Sequence, residues 1–158
     1  MKIRIAENPD IPQIETLLYQ VQKIHSDKRP DLFTAGSKKY TAKELEELLK
    51  DETRPIYVAV EECSILGYAF CIFQKHESHS LNKIKTLYID DLCVSETARG
   101  QQIGTKLYQF VLETAKQAGC YNVTLNVWAC NEPAIKFYEK CGLQIQKMGM
   151  EQILNYNE

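Results

Sequence analysis

Arg99-Gly100-Gln101-Gln102-Ile103-Gly104-Thr105-Lys106-Leu107 follows an extended apolar run and opens an amphipathic helix. The apolar residues of this helix recur at spacings of three, four and one: Ile103, Leu107, Phe110, Val111, Ala115 and Ala118. A loop of small residues at a helix start leaves several backbone N–H groups unpaired and exposed. Together with the positive end of the helix dipole, these groups suit a phosphate or pyrophosphate. We therefore predict that the chain binds a phosphorylated cofactor.

Outside this loop, apolar spacing and capping residues predict the remaining elements. In chain order they are a strand over 2–6, a helix capped by Asn8, a loop over 25–36, a helix opened by a Thr41–Glu44 capping box, strands over 56–60, 65–73 and 84–94, the glycine-loop helix ending at Gly119, a strand over 123–127, a helix capped by Asn131 that runs through Cys141, and one or two closing strands over 143–154. This order predicts one α/β domain over residues 1–158, with helices on both faces of a mixed sheet.

Charge and composition exclude several classes of protein. The chain has 19 Lys and Arg against 21 Asp and Glu, without a basic stripe, so nucleic acid is not an expected partner. No apolar run approaches the roughly 20 residues that span a bilayer, and the first residues lack the apolar centre of a signal peptide. We therefore expect no membrane partner and a cytoplasmic location.

The six cysteines predict neither a zinc site nor disulfides. They form no CxxC pair and have no interleaved histidines: Cys63, Cys71, Cys93, Cys120, Cys130 and Cys141. We expect reduced thiols that serve as small core residues, and no metal site.

Two common phosphate-binding motifs do not fit the glycine loop. A P-loop needs Lys followed by Ser or Thr directly after its final glycine, and Thr105-Lys106 reverses that order. A dinucleotide fingerprint needs three spaced glycines near the first strand, whereas only Gly100 and Gly104 are present and the first strand is far upstream.

From Leu87 to Tyr138 the chain resembles the Gcn5-related N-acetyltransferase (GNAT) superfamily. The similarity is carried by four stretches, which are Leu87-Tyr88-Ile89-Asp90-Asp91-Leu92-Cys93-Val94, Arg99-Gly100-x-x-Ile103-Gly104-x-x-Leu107, Leu125-x-Val127 and Asn131-Glu132-Pro133-Ala134-x-x-Phe137-Tyr138-x-x-x-Gly142-Leu143. The resemblance implies a GNAT-type, mostly antiparallel sheet flanked by about four helices. It also implies transfer of an acetyl group from acetyl-CoA to a primary amine.

The resemblance further implies which residues bind acetyl-CoA. The strand is expected to splay from its neighbour, so that Leu92, Cys93 and Val94 offer backbone groups to the pantetheine arm. The N–H of Val94 or Leu92 would then polarise the thioester carbonyl. The remaining contacts are expected from the loop and the last helix, namely Arg99, Gly100, Gln101, Gln102, Ile103, Gly104, Thr105, Asn131, Ala134 and Phe137.

Gln102 departs from the family pattern, which usually has a glycine at this position. Its side chain could hinder the approach of the pyrophosphate. We expect the side chain to point outward with ordinary helical backbone angles, so that only a modest effect on affinity follows.

The catalytic groups implied by the resemblance are Tyr138 and Asp90. A tyrosine beside the cofactor sulfur can protonate the leaving thiolate, although the Phe137-Tyr138 pair could also simply pack the last helix. Asp90 is the candidate base or amine anchor, with Asp91 as runner-up, because successive strand residues face opposite sides. Alternatively, both carboxylates hold structural hydrogen bonds near a strand bulge. An acetyl-cysteine on Cys93 is less favoured than direct attack in a ternary complex, because no histidine is near it in sequence.

The sequence says less about the identity of the acceptor amine than about the cofactor. Arg29 and Phe33 lie in the loop where family members usually carry acceptor determinants, and Trp128 either lines the cleft or packs. His25, His76 and His79 are expected at the surface or in loops. We predict a small-molecule amine, such as a polyamine, amino acid or aminoglycoside. A protein or peptide amine, or a non-catalytic acyl-CoA-binding module, is the alternative, and a homodimer is possible because many relatives pair through closing strands.

Overall fold

The fold is built on one five-stranded sheet with its strands in the order β1-β2-β3-β4-β5. It is seen in a computed structural model, and the structure describes residues 1–154. The strands are β1 (Lys2–Ile5), β2 (Ile56–Glu61), β3 (Ser64–Lys75), β4 (Lys85–Val94) and β5 (Asn122–Leu125). β1 to β4 pair antiparallel and β5 pairs parallel with β4, which confirms the predicted mixed, mostly antiparallel sheet.

Helices cover both faces of this sheet, as predicted. They are α1 (Ile11–Lys28), α2 (Ala42–Leu48), α3 (Ile103–Gln117) and α4 (Glu132–Lys140). On the face covered by α1 and α2, which we call the α1 face, Ile14, Leu18 and Leu45 pack on Val58 and Tyr68. The opposite side is the α3 face, where a second core forms from the apolar sides of α3 and the strands, including Leu107, Val111, Leu87 and Ile89.

Several predicted caps are present. Thr41 and Glu44 form the capping box of α2, and the side chain of Asn131 accepts from the N–H of Ala134 at the start of α4. Gly119, just past α3, has a φ of 73°, a left-handed conformation that favours glycine.

Other predicted boundaries were wrong. α1 continues to Lys28 rather than ending before His25, because Ser26 is buried and the packed face of the helix extends that far. Asn8 is not a cap. It lies inside a 3₁₀ turn whose cap is Glu7, in a reciprocal box with Asp10. β5 ends at Leu125, two residues earlier than predicted.

The predicted closing strands over 143–154 are absent from the described structure. Leu143 and Ile145 alternate with polar residues as in a strand, but a strand forms only where its backbone groups find a partner. This segment pairs with no strand of the described chain, and Ile145, Met148 and Met150 remain exposed.

Two expectations drawn from composition can be compared with the structure. Cys71 and Cys93 are buried, and Cys120 and Cys141 pack partly buried against the core of the α3 face, as expected of small core residues, whereas Cys63 is exposed. Among the helices of residues 1–154, none is long and apolar enough to cross a membrane.

Candidate active site

β4 and β5 separate halfway along β4. Their parallel pairing ends at Ile89 and Leu125, whereas β4 continues beside β3 as far as Val94. The N–H of Ser95 donates to the carbonyl of Leu66 over 2.8 Å. Because backbone polar groups of successive residues point to alternate edges, the N–H groups of Leu92 and Val94 face the edge that β5 has left. The splayed strand is thus present.

A β-bulge interrupts β4 at Asp90. Phe70 on β3 lies opposite Asp91, but the next residue, Cys71, lies opposite Ile89, so Asp90 has no partner in the register. The extra residue resets the alternation of side chains between the two faces of the sheet. Asp90 and Asp91 consequently make their contacts on the same face. The expectation that only one of them could point into a given cleft assumed strict alternation and was wrong.

Asp90 is held by two groups from the loop that precedes α2. The hydroxyl of Tyr40 donates to Oδ2, and Nζ of Lys39 lies 3.0 Å from Oδ1. Nζ of Lys39 also donates to the backbone carbonyl of Asp90 over 3.2 Å. The Tyr40 ring stacks on Phe70 with 5.4 Å between centroids, which fixes the hydroxyl on the α1 face. Lys39 and Tyr40 were missed in the sequence, because they have no motif and lie about 50 residues from their partner.

Asp91 lies in a drier environment than its neighbour. Burial raises the pKa of its carboxyl to about 6, while a hydrogen bond from the Tyr68 hydroxyl to Oδ2 (2.7 Å) acts in the opposite direction. Tyr138, in α4, is half-buried, and burial followed by the negative charge of Asp91 raises the pKa of its hydroxyl. Tyr138 therefore keeps its proton at neutral pH, and it lies within electrostatic reach of Asp91.

A cleft of about 400 Å³ lies on the α3 face beside the open edge of β4. Most of the predicted cofactor residues line it: Leu92, Val94, Arg99, Gly100, Gln102, Ile103, Gly104, Thr105 and Phe137. Ala98 and Lys140 also line the cleft and were not predicted. Cys93, Gln101, Asn131 and Ala134 are not part of the lining. Residues from the end of β4, from the start of α3 with the loop before it, and from α4 thus line one cleft.

The donor groups of this cleft fit a diphosphate. The first backbone bond of α3 runs from the N–H of Lys106 to the carbonyl of Gln102, and no side chain caps the helix. The N–H groups of Ile103, Gly104 and Thr105 therefore have no acceptor in a preceding turn. These N–H groups open towards a cleft that Arg99 and Lys140 also line. The oriented N–H groups, the positive end of the helix dipole and the two cations would all attract a diphosphate in this cleft.

The sequence profile of the acetyltransferase (GNAT) family matches residues 18–143. The chain belongs to the GNAT acetyltransferase family.

Individual relatives agree with this family. Glucosamine 6-phosphate N-acetyltransferase of Arabidopsis thaliana is 36% identical over 66 residues, which are 42% of this chain and 42% of that protein. Thialysine N-epsilon-acetyltransferase of Bos taurus is 34% identical over 80 residues, which are 51% of this chain and 45% of that protein. The chain thus matches less than half the length of these two relatives. The crystal structure of a mutant BH1408 protein from Bacillus halodurans has a TM-score of 0.94 at 29% identity, covering 98% of this chain and 100% of that one.

Gln102 carries a side chain at a left-handed backbone position of the glycine loop, a conformation that Gly100 adopts as a glycine. Its φ and ψ are 60° and 21°, in the left-handed region, so the expectation of ordinary helical angles was wrong. A residue with a side chain is strained there by about 1–2 kcal/mol. The glycine usual at this position in the family would adopt this conformation without that cost.

Gly104 has a different reason to be glycine. A Cβ at this position would lie 3.2 Å from Cζ of Phe137 and 3.4 Å from Cγ2 of Val94. The absence of a side chain lets α3 approach α4 and β4 closely, which brings the start of α3 next to the open strand edge.

The side chain of Cys93 faces away from the cleft. It is buried on the α1 face, where Sγ lies 3.9 Å from the carbonyl of Leu17. Burial raises the pKa of this thiol to about 12, so it is not ionised at neutral pH. The thiol is poorly suited to carry an acetyl group, whereas the backbone of the same strand remains available.

Gln20 of α1 holds the end of β4. Its Nε2 donates to the carbonyl of Val94 over 3.0 Å, and its Oε1 accepts from the N–H of Glu96 over 3.1 Å. The segment that carries the exposed N–H of Val94 is therefore tied to α1. Sequence analysis missed Gln20, because a glutamine in an amphipathic helix carries no signal of a partner more than 70 residues away.

The predicted acceptor residues are brought together only in part. Phe33 packs edge-on against Trp128, with 5.1 Å between ring centroids, and also lies 4.8 Å from the ring of His25. The expectation of a surface or loop position for His25 was wrong, since it is half-buried within α1, and burial and the charge of Lys39 lower its pKa. Arg29 instead forms ion pairs with Asp31 (2.8 Å) and Glu151 (2.6 Å).

Proposed function

We propose that this GNAT protein is an acetyl-CoA-dependent N-acetyltransferase that acetylates the primary amine of a small molecule by direct attack in a ternary complex. The observation that carries the proposal is the arrangement on the two sides of β4. A cleft with unpaired N–H groups lies on the α3 face, and two adjacent carboxylates make their contacts on the α1 face. The gap between β4 and β5 begins at the same residues, which would let a thioester meet an amine.

The cleft residues have separate tasks in this proposal. Acetyl-CoA, when bound, supplies the thioester whose acetyl group is transferred. The N–H groups of Ile103, Gly104 and Thr105, with Arg99 and Lys140, would hold its pyrophosphate. The outward N–H groups of Leu92 and Val94 would pair with the pantetheine arm, and one of them would stabilise negative charge on the carbonyl oxygen.

The two carboxylates would divide the handling of the amine. An alkylammonium has a pKa near 10, so the acceptor arrives charged and must lose a proton before it attacks. The resemblance makes Asp90 the candidate base or amine anchor, and its contacts with Lys39 and Tyr40 support the role of anchor for the ammonium. Asp91, whose pKa is raised to about 6, is better matched to accept the proton near neutral pH.

Tyr138 would supply the proton that the leaving thiolate needs. Burial and the nearby charge of Asp91 keep its hydroxyl protonated over the working pH range. A proton donor is required at the end of the reaction rather than at the beginning, so a raised pKa suits this role.

The acceptor side supports a small organic amine. Phe33 and Trp128 would supply an apolar wall, and Asp90 and Asp91 would supply negative charge for the ammonium. The named activities of the Arabidopsis and bovine relatives concern small molecules that carry a primary amine. A protein or peptide amine is the alternative.

Release of free CoA thiol over a panel of acceptors tests the proposal. The panel contains lysine analogues, amino sugars, polyamines and peptides with free N-termini, each with acetyl-CoA. We expect turnover with at least one small amine and a loss of roughly 100-fold or more in kcat in Tyr138→Phe. Binding of acetyl-CoA without thiol release for any acceptor would show a non-catalytic module. Full turnover in Tyr138→Phe would remove that residue from the mechanism.

A homodimer belongs to the same proposal. Segment 143–154 exposes Ile145, Met148 and Met150, and β5 is an edge strand with no partner on its outer side among residues 1–154. We propose that the segment of one copy pairs with a second copy, which would cover these side chains. Light scattering should give the mass of a dimer, and Ile145→Ser should shift it towards the monomer, whereas Leu81→Ser, at another exposed apolar residue, should not. A monomer at all concentrations would contradict this.

A cytoplasmic location stays a prediction from the sequence.

A further inference from the structure

Lys39 brings a primary amine of the protein itself to the proposed acceptor site. Its Nζ lies 3.0 Å from Oδ1 of Asp90 and 3.2 Å from the Asp90 carbonyl. The positive charge of Lys39 also lowers the pKa of His25, and it partly offsets the rise that burial causes in the pKa of Asp91. The ammonium of Lys39 therefore lies at Asp90 and acts electrostatically on Asp91 and on His25, whose ring is 4.8 Å from that of Phe33.

The reactive position is within reach of this side chain. Leu92, whose N–H faces the open edge of β4, follows Asp90 by two residues, which corresponds to roughly 7 Å along a strand. The side chain of Lys39 is 44% exposed, and a lysine stem of about four carbons is flexible, so Nζ can move over that distance without unfolding its loop.

Lys38 provides a contrast within the same loop. Its Nζ lies 2.8 Å from Oε1 of Glu15 and donates to the hydroxyl of Tyr19 over 3.1 Å, and both partners belong to α1. Its amine has no contact with either carboxylate of β4 among the described residues. The two neighbouring lysines thus differ in position relative to the proposed site.

We propose that Lys39 is a site of self-acetylation, modified in the absence of an acceptor amine; this rests on the proposed function. The Lys39 ammonium gives one proton to Asp91 and from there to solvent. Nζ then forms a C–N bond with the acetyl carbon as the C–S bond breaks. Tyr138 protonates the departing thiolate and regains a proton from the nitrogen. One amide, one CoA thiol and one released proton balance the reaction.

The test incubates the full-length protein with acetyl-CoA and no acceptor, followed by intact mass and peptide mapping. We expect one added acetyl group on Lys39, at a rate per molecule that does not depend on protein concentration. Lys38→Arg should be acetylated like the wild type, Lys39→Arg should not, and Tyr138→Phe should be slower by roughly 100-fold.

A second measurement uses the free protein without acetyl-CoA. Acetic anhydride in limiting amounts reports the intrinsic reactivity of each amine, and we expect no preference for Lys39 over Lys50, whose side chain is 70% exposed. A strong preference for Lys39 in this reaction would show an intrinsically reactive lysine and overturn the proposal.

Other outcomes also overturn it. Acetylation spread over many exposed lysines, at the same rate in Tyr138→Phe, would indicate chemical transfer without the site. A rate that rises with protein concentration would indicate transfer between copies. If small amines are acetylated but Lys39 is not, this inference fails alone. If neither is acetylated, the proposed function fails with it.

Discussion

The hydroxyl of Tyr68 donates to Oδ2 of Asp91 across 2.7 Å, on the α1 face of the sheet. Ile89, two residues before Asp91, packs into the core on the opposite face. Strict alternation would turn both side chains to the same side. The bulge at Asp90 reverses the side chain of Asp91 and thereby creates this contact. Two carboxylates and a buried tyrosine meet because of one additional residue in a strand.

Replacing Asp91 by Asn should change how stability depends on pH. The folded-state pKa of about 6 lies above the roughly 3.9 of an unfolded aspartate, so the folded state binds this proton more tightly. The Asp91 carboxyl therefore lowers the stability of the wild type by about 2–3 kcal/mol as pH rises from about 4 through about 6, and this contribution is absent from Asp91→Asn. Urea unfolding at pH 4 and pH 7 measures the difference. Asp27→Asn, at an exposed residue of α1, is the control, and a pH-independent difference for Asp91→Asn would contradict the raised pKa.

Tyr68→Phe should raise the pKa of Asp91 further, because it removes a hydrogen bond that favours the charged carboxylate. If Asp91 is the base, kcat/KM of the wild type rises with pH through about 6, and this limb moves to higher pH in the variant. Profiles of kcat/KM against pH for the wild type and for Tyr68→Phe measure the position of this limb in each protein. Tyr57→Phe changes a tyrosine that packs on Phe110 on the other face, and its limb should coincide with that of the wild type. An unmoved limb in Tyr68→Phe would exclude Asp91 as the base.

Gln102→Gly should stabilise the protein by about 1 kcal/mol, since it relieves a left-handed backbone conformation at a residue with a side chain. Thermal unfolding measures the change. Gln101→Gly is the matched control, because Gln101 does not have a positive φ and should gain nothing from glycine. Equal effects of the two substitutions would argue against strain at Gln102.

Gln20→Ala should lower turnover more than its loss of stability explains. The substitution removes the hydrogen bonds that tie Val94 and Glu96 to α1, and with them the positioning of the proposed carbonyl-polarising N–H. Gln13→Ala is the matched control, since Gln13 also bonds backbone groups, at Cys63 and Ile65, but none in β4 or the segment that follows it. Each variant should lose about 1 kcal/mol of stability, and only Gln20→Ala should lose about tenfold in kcat. Identical kcat values in the two variants would assign Gln20 a purely structural role.

Part of the site could be predicted from residues that lie close together in the chain. The start of α3, the Asn131 cap and the aromatic pair in α4 depend on spacings of a few residues, and α3 and α4 contribute Ile103, Gly104, Thr105 and Phe137 to the cleft beside β4. The closing strands could not be predicted in the same way. Their alternation of side chains is local, but strand formation needs a hydrogen-bonding partner, which the described part of the chain does not provide.

The sequence by itself determined the order of the elements, the loop that opens α3 and the family to which the chain belongs, because helix periodicity, capping and glycine-rich turns are local properties. Only the tertiary structure decided that Asp90 and Asp91 share a face, that Gln20 holds the end of β4 and that Lys39 reaches Asp90. A bulge depends on the register with the neighbouring strand, and the other two contacts join residues 50 or more positions apart. No local spacing encodes those distances, so the groups around Asp90 and Asp91 are brought together only when the chain folds.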